Sequence, residues 1–300
     1  MKNSRPFNFL LLKKKLTPYL LLSPAFLLLI VILVYPLIYN FYLSFLKWRL
    51  TSPVPSKFVG FENYVNLFLY DPDFLDVSKF SLGFTIVTIF MEFIIGLFSA
   101  LLLYGLVRGR RLMTSFLLTP YMVAPIAVGL GWRLMWDRDL GLVNFFLVFI
   151  GLDKINWLAE SMPAFWAIVI SEVWRSTPFV TMILLAGLTS LSNEIFEAAH
   201  IDGANRWQTF WKITFPLILP PLAVSLMFQT IFKLRVFDIP FILTEGGPGT
   251  STMPYGMLIH RTYFKYFDVG KAAAISVVLL FIGIVVAMIY VKISKMKQTS

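Results

Sequence analysis

Across 300 residues the chain has no cysteine and two histidines, His200 and His260. The missing cysteine excludes a disulfide framework and thiol chemistry, and it leaves the redox environment unconstrained. Neither histidine lies in an H-E-x-x-H pattern, so a zinc protease site is not supported. His200, beside a solvent-side loop, reads as an ordinary surface residue. No G-x-S-x-G elbow is present, which weakens a serine hydrolase reading. The glycine-rich run EGGPGTST at 245–252 lacks the lysine of a phosphate-binding loop. Neither catalysis nor a metal site is predicted. Charge is scarce as well, at 14% Asp, Glu, Lys and Arg.

Apolar residues dominate instead, at 58%, against about 45–50% in soluble domains. They gather into runs long enough to cross a hydrocarbon core of about 30 Å. Six spans are placed at Pro18–Phe45, Leu82–Val107, Met113–Trp136, Ala164–Leu188, Phe215–Phe232 and Ala272–Val291. In lipid every backbone polar group must be paired internally, so the spans are helices and the fold class is all-α, a polytopic membrane protein. With the N-terminus in the cytoplasm, the inner segments hold Lys2, Arg5, Lys13, Lys14, Lys15, Arg108, Arg110, Arg111, Arg206, Lys212, Lys292, Lys295 and Lys297, against Glu194, Glu197 and Asp202. The outer segments, such as LYDPDFLD and WDRDLG, are balanced or acidic. That asymmetry predicts both termini on the cytoplasmic side. The formal charge of +10 is read as topology and attraction to anionic lipid. It is not a nucleic-acid footprint, because the charges are scattered over several segments. The first apolar run is too long, and its sequel YPLIYNFYLSF too bulky, for a cleaved signal peptide.

Ionisable residues inside spans are functional candidates by default. Glu92 falls in the middle of the second span. Glu172 and Arg175 stand one turn apart in the fourth, where they can neutralise each other. Lys233 and Arg235 fall at the outer end of the fifth, where long basic side chains snorkel to the interface.

One inner loop breaks the apolar pattern: EAAHIDGANRWQTFWKITFPLILP, from Glu197 to Pro220. Ser192 or Asn193 can cap a short helix whose first residues include Glu194 and Glu197, where the helix dipole favours acids. Ala198 and Ala199 are strong helix formers with almost no bulk. Gly203 suits the turn that ends such a helix. Trp207, Phe210, Trp211 and Thr214 then recur at i, i+3, i+4 and i+7, an amphipathic second helix. Pro220 and Pro221 fall inside the fifth span and should kink it. Two readings of this helix–elbow–helix stand: an interfacial segment anchored by Trp207 and Trp211, or a projection that docks on another protein.

The loop resembles the EAA motif of ABC-importer permeases: Glu197-Ala198-Ala199, three residues, Gly203, nine residues, Ile213, one residue, then Phe215-Pro216, with phenylalanine where leucine is usual. SPAFLLLIVILVYPLIYNFYLSF, FVGFENYVNLF, EVWRSTPFVTMILLAGLTSL and FDIPFILTEGGPGTST extend the resemblance, over nearly the whole chain, to the sugar permeases of maltose, lactose and glycerol-phosphate type. The resemblance implies a cytoplasmic tail at 1–17, a transmembrane domain at 18–292 with its coupling loop at about 190–214, and a second tail at 293–300. It implies that Glu197, Ala198, Ala199, Asp202, Gly203 and Ala204 couple the chain to a separate ATPase. It also implies a substrate path past Glu172, Ser176, Phe179, Gln229, Phe232, Lys233 and Val236. Glu172 and Lys233 depart from neutral-sugar relatives. They could pair across the cavity, or Lys233 could meet an acidic sugar or a phosphate. The implied partners are a second homologous permease, as a heterodimer, two ATP-binding subunits that hold ATP and magnesium, an extracytoplasmic solute-binding protein, and a sugar. No cofactor is expected on this chain, and the implied location is a prokaryotic inner membrane. The competing class is an ion-coupled secondary transporter with Glu92, Glu172 and Arg175 as a relay.

Overall fold

The computed structural model describes residue 19 and residues 21–296, with side chains to residue 292. The tail at 1–17 and residues 297–300 lie outside it. The first span is α1, Leu21–Leu43, with a π turn at Ile30–Val34 in which the Tyr35 N–H reaches the Ile30 carbonyl. Pro36 follows directly. Its ring cannot tolerate the carbonyl four residues back, and widening the preceding turn removes that clash.

After α1 comes a pair of two-residue strands, β1 (Leu46–Lys47) antiparallel to β2 (Lys57–Phe58), then α2 (Glu62–Leu69). Next is α3, Pro72–Gly105, which begins ten residues before the expected second span. Asp71 caps it, accepting from the Phe74 N–H, and Pro72 occupies the first turn, where a missing N–H costs nothing. The amphipathic first turns hid this start from a search for apolar runs.

The third span needs correction. It is two helices, α4 (Arg110–Met122) and α5 (Pro125–Met135), bent by 91° at their junction. Pro125 disfavours helical backbone at the residue before it, and Ala124 leaves the helical region, with ψ 133°. After α5, α6 (Leu142–Phe149) is tied into its loop by buried Asn144. That side chain donates to the carbonyls of Arg138 (3.0 Å) and Ile155 (2.9 Å) and accepts from the Ile155 N–H and Trp157 Nε1.

Helix α7 (Ser161–Thr189) carries the fourth span. The short α8 (Asn193–Ile201) leads into the fifth, α9, Arg206–Leu234. The expected second arm of the elbow is therefore no separate helix; it is the first turns of α9. A second π turn, Phe210–Thr214, sits just before Pro216, with the Phe215 N–H on the Phe210 carbonyl. The helix continues through Pro220 and Pro221. Two short helices follow, α10 (Asp238–Thr244) and α11 (Tyr255–His260), then α12, Val269–Met296.

The bundle is built around α3 and α7, with α9 against both and α12 against α9. Gly96 marks the closest approach: a Cβ there would lie 2.9 Å from Val180 Cγ1, as small residues do at helix contacts in lipid. Ser171, Thr177 and Thr181 on α7 return their hydroxyls to the carbonyls of Ala167, Val173 and Thr177, four residues back, so buried polar groups stay satisfied. α1 buries no residue and rests on α12 at the edge.

Candidate functional site

Two places in this bundle carry more than packing. The first joins α3, α7 and α9 by charge. Lys233 Nζ lies 2.6 Å from Glu172 Oε1, 2.6 Å from Ser176 Oγ and 2.9 Å from Glu92 Oε1, so all three ammonium donors are used. Lys233 is 1% exposed; the snorkelling expectation fails, because two carboxylates inside the bundle offer it a better partner than the interface. Arg175 donates to both Glu172 oxygens, through Nη2 at 2.6 Å and Nε at 3.3 Å. The Ser176 hydroxyl is 2.5 Å from Glu92 Oε1 and 2.6 Å from the Glu172 carbonyl, and Gln229 Nε2 donates to the Ser176 carbonyl at 3.0 Å. Two carboxylates face two cations. Glu92 is fully buried, and its Oε2 has no hydrogen-bond partner. A lone buried charge costs several kcal/mol, so the four depend on one another.

Of the path residues expected from sequence, the fold brings Glu172, Ser176, Gln229 and Lys233 together and disperses the others. Phe179 sits one turn from Arg175, its ring 5.6 Å from that of Tyr121 at the end of α4. Phe232 is half exposed, and Val236 packs on the apolar cluster around Phe80 and Ile239. Arg235 is exposed at the end of α9. The sequence singles out Glu92 and Arg175 as charged residues inside spans without joining them to Lys233, and it does not mark Tyr121. An acid buried mid-helix was the available signal for Glu92; nothing local marks Tyr121, which reaches Phe179 because the third span breaks. A cavity of about 710 Å³ between α3, α4 and α7 is walled mainly by Met91, Ile95, Phe116 and Trp174, which gives it little hydrogen-bonding chemistry.

The second place is the elbow. Ser192 precedes α8 in extended conformation but makes no side-chain cap. The exit is closed by two bonds: Gly203 N–H to the His200 carbonyl (3.1 Å) and Ala204 N–H to the Ala199 carbonyl (2.9 Å). This is the Schellman pattern, which places its turn residue in the left-handed region, and Gly203 has φ +75°. Asn205 immediately starts α9 with a capping box, exchanging 2.9 Å bonds with Gln208. A C-cap and an N-cap two residues apart fix the turn. Glu197, Ala198 and Asp202 face outward, whereas Ala199 is 5% exposed. The alanine pair therefore does not offer one surface: Ala199 packs inward and Ala198 outward. Ile201 is 85% and Trp207 71% exposed, so the elbow displays apolar side chains beside its acids. The four positions of the expected amphipathic stripe split, with Trp207 and Trp211 exposed, Phe210 half-buried and Thr214 buried.

Spanning helices with a buried charged centre, a broken third span and a short helix presented at one end define a multi-pass membrane transport subunit. The chain belongs to the family described as the binding-protein-dependent transport system inner membrane component, which matches residues 92–296. This membership sets aside the ion-coupled secondary transporter. The chain is 36% identical over 281 residues to the trehalose/maltose transport system permease protein MalF of Thermococcus litoralis, covering 93% of this chain and 94% of that one. It is likewise 36% identical over 284 residues to the sulfoquinovosyl glycerol transport system permease protein SmoG of Agrobacterium fabrum, covering 95% and 92%. Its fold matches a chain of a bacterial ABC transporter involved in import of the acidic polysaccharide alginate, with a TM-score of 0.81 at 23% identity over 94% of this chain and 96% of that one.

Proposed function

We propose that the chain forms half of the translocation pathway of an ATP-driven importer for a carbohydrate, working by alternating access. The observation that carries the reading is the elbow: a doubly capped turn holds α8 with Glu197, Ala198, Asp202 and Ile201 exposed, the form of a short helix that inserts into another protein. In this reading Glu197, Ala198, Asp202, Gly203 and Ala204 meet a separate ATPase, with Ala199 holding the helix to the bundle from within. ATP and magnesium reside on two such subunits, and this chain has neither an ATPase site nor a cofactor of its own. A second homologous permease completes a heterodimer, and a solute-binding protein delivers substrate from the far side of a prokaryotic inner membrane. Both termini are cytoplasmic, and the transmembrane domain occupies 18–292.

The carbohydrate passes Tyr121, Phe179 and Arg175. Rings pack on the C–H face of a sugar while Arg175 supplies donors. The sugars named for the two 36%-identical relatives support that class. The test is uptake by the reconstituted importer: vanadate should abolish sugar accumulation while a protonophore leaves it intact. The opposite pattern refutes the proposal.

A further inference from the structure

The segment between α9 and α12 holds an aromatic cradle apart from the charged centre. Phe237 and Phe241, one turn apart at the start of α10, lie 5.0 Å from each other and nearly parallel, at 18°. His260, the last residue of α11, and Phe264, in the π turn Arg261–Lys265 that follows, lie 4.8 Å from each other. The two pairs meet at His260, whose ring is tilted 57° to Phe237 at 5.2 Å and 63° to Phe241 at 6.4 Å. Four rings thus form a continuous wall of a cavity of about 450 Å³, within the span of about 300–1,000 Å³ usual for small-molecule sites. Arg261, Lys265 and Glu245 line the same cavity. Phe264 is 62% exposed, and His260, Lys265 and Glu245 are exposed as well. Arg261 stacks over the Tyr266 ring at 5.3 Å and points one nitrogen at Met253 Sδ, 4.0 Å away, and none of the salt bridges among the described residues engages Glu245, Arg261 or Lys265.

We propose that this cradle is a second saccharide site, taking a pyranose ring that carries an acidic substituent. The rings face the C–H surface of the sugar. Lys265 and Arg261 meet the acid, and Glu245 accepts from a hydroxyl. Two cations against one carboxylate favour an anionic over a neutral sugar. The proposal deepens the carbohydrate reading above and rests on it.

The experiment uses the full-length chain in its assembled complex in lipid nanodiscs, with digalacturonic acid and trehalose as probes. Saturation-transfer NMR reads contact to sugar C–H protons, and uptake of both sugars is measured in parallel. Phe241→Leu and Phe264→Leu keep apolar bulk and remove the ring. Each should weaken digalacturonic acid binding about two- to tenfold, with the thermal midpoint unchanged. Lys265→Gln should weaken digalacturonic acid and spare trehalose. Wild-type signals in the leucine variants would mean that the rings only pack or meet lipid, and that overturns the cradle. So does a change confined to affinity for the solute-binding protein. Both results leave the importer reading standing if wild-type uptake persists, whereas loss of all sugar uptake in the wild type overturns both.

Discussion

Lys233 illustrates how much one side chain decides here. Replacing it with methionine leaves Glu172 its bond to Arg175 but strips Glu92 of its cation. The expected cost is about 3–5 kcal/mol, the usual penalty for breaking a buried pair from one side. The second change Glu92→Gln should recover most of it, and Glu172→Gln should not, because that change releases Arg175 as well. Thermal unfolding of the single and double variants in detergent measures this. A Lys233→Met protein as stable as wild type would remove the charged centre from the account. Asn144 offers a simpler case. It makes four bonds to its loop, so Asn144→Ala should cost about 1–3 kcal/mol by leaving buried partners unpaired, read as a lower thermal midpoint.

At the scale of elements, the elbow depends on backbone conformation more than on contact. A Cβ at Gly203 meets nothing within 4 Å, yet φ is +75°. Gly203→Ala is therefore expected to cost about 1–2 kcal/mol through the left-handed penalty alone. Gly203→Pro should abolish the turn, since its φ is locked near −65° and the N–H that bonds His200 is lost. Insertion should survive in both variants. Substrate-stimulated ATP hydrolysis and uptake should fall together, and more steeply for proline. Glu197→Lys reverses an exposed charge and should lower both without lowering thermal stability. Normal coupling in Gly203→Pro and Glu197→Lys would detach the elbow from the ATPase.

For the molecule as a whole, orientation is open to a clean measurement because the chain has no cysteine. Single cysteines at Asn3 and Asp153 should differ. With both termini inside, a membrane-impermeant maleimide should label Asp153→Cys in intact cells and Asn3→Cys only after lysis. The reverse pattern would invert the topology and place the elbow on the side without ATP.

Composition and periodicity alone established a helical membrane protein, because a backbone in hydrocarbon has few ways to pair its polar groups. The spaced motif from Glu197 to Pro216 located the elbow, since the residues that cap and turn a helix act within a few positions of one another. The start of α3 at Pro72 was hidden by its polar first turns, and the break in the third span lay in a single Ala124-Pro125 step. What the tertiary structure decided is which charges meet. Glu92 and Lys233 are 141 positions apart, and only the packing of α3, α7 and α9 sets them 2.9 Å from each other. A local reading sees a basic residue near a helix end and sends it to the interface. Inside the bundle two carboxylates hold it, because an ion removed from water is stable only where opposite charge and hydrogen bonds replace the solvent.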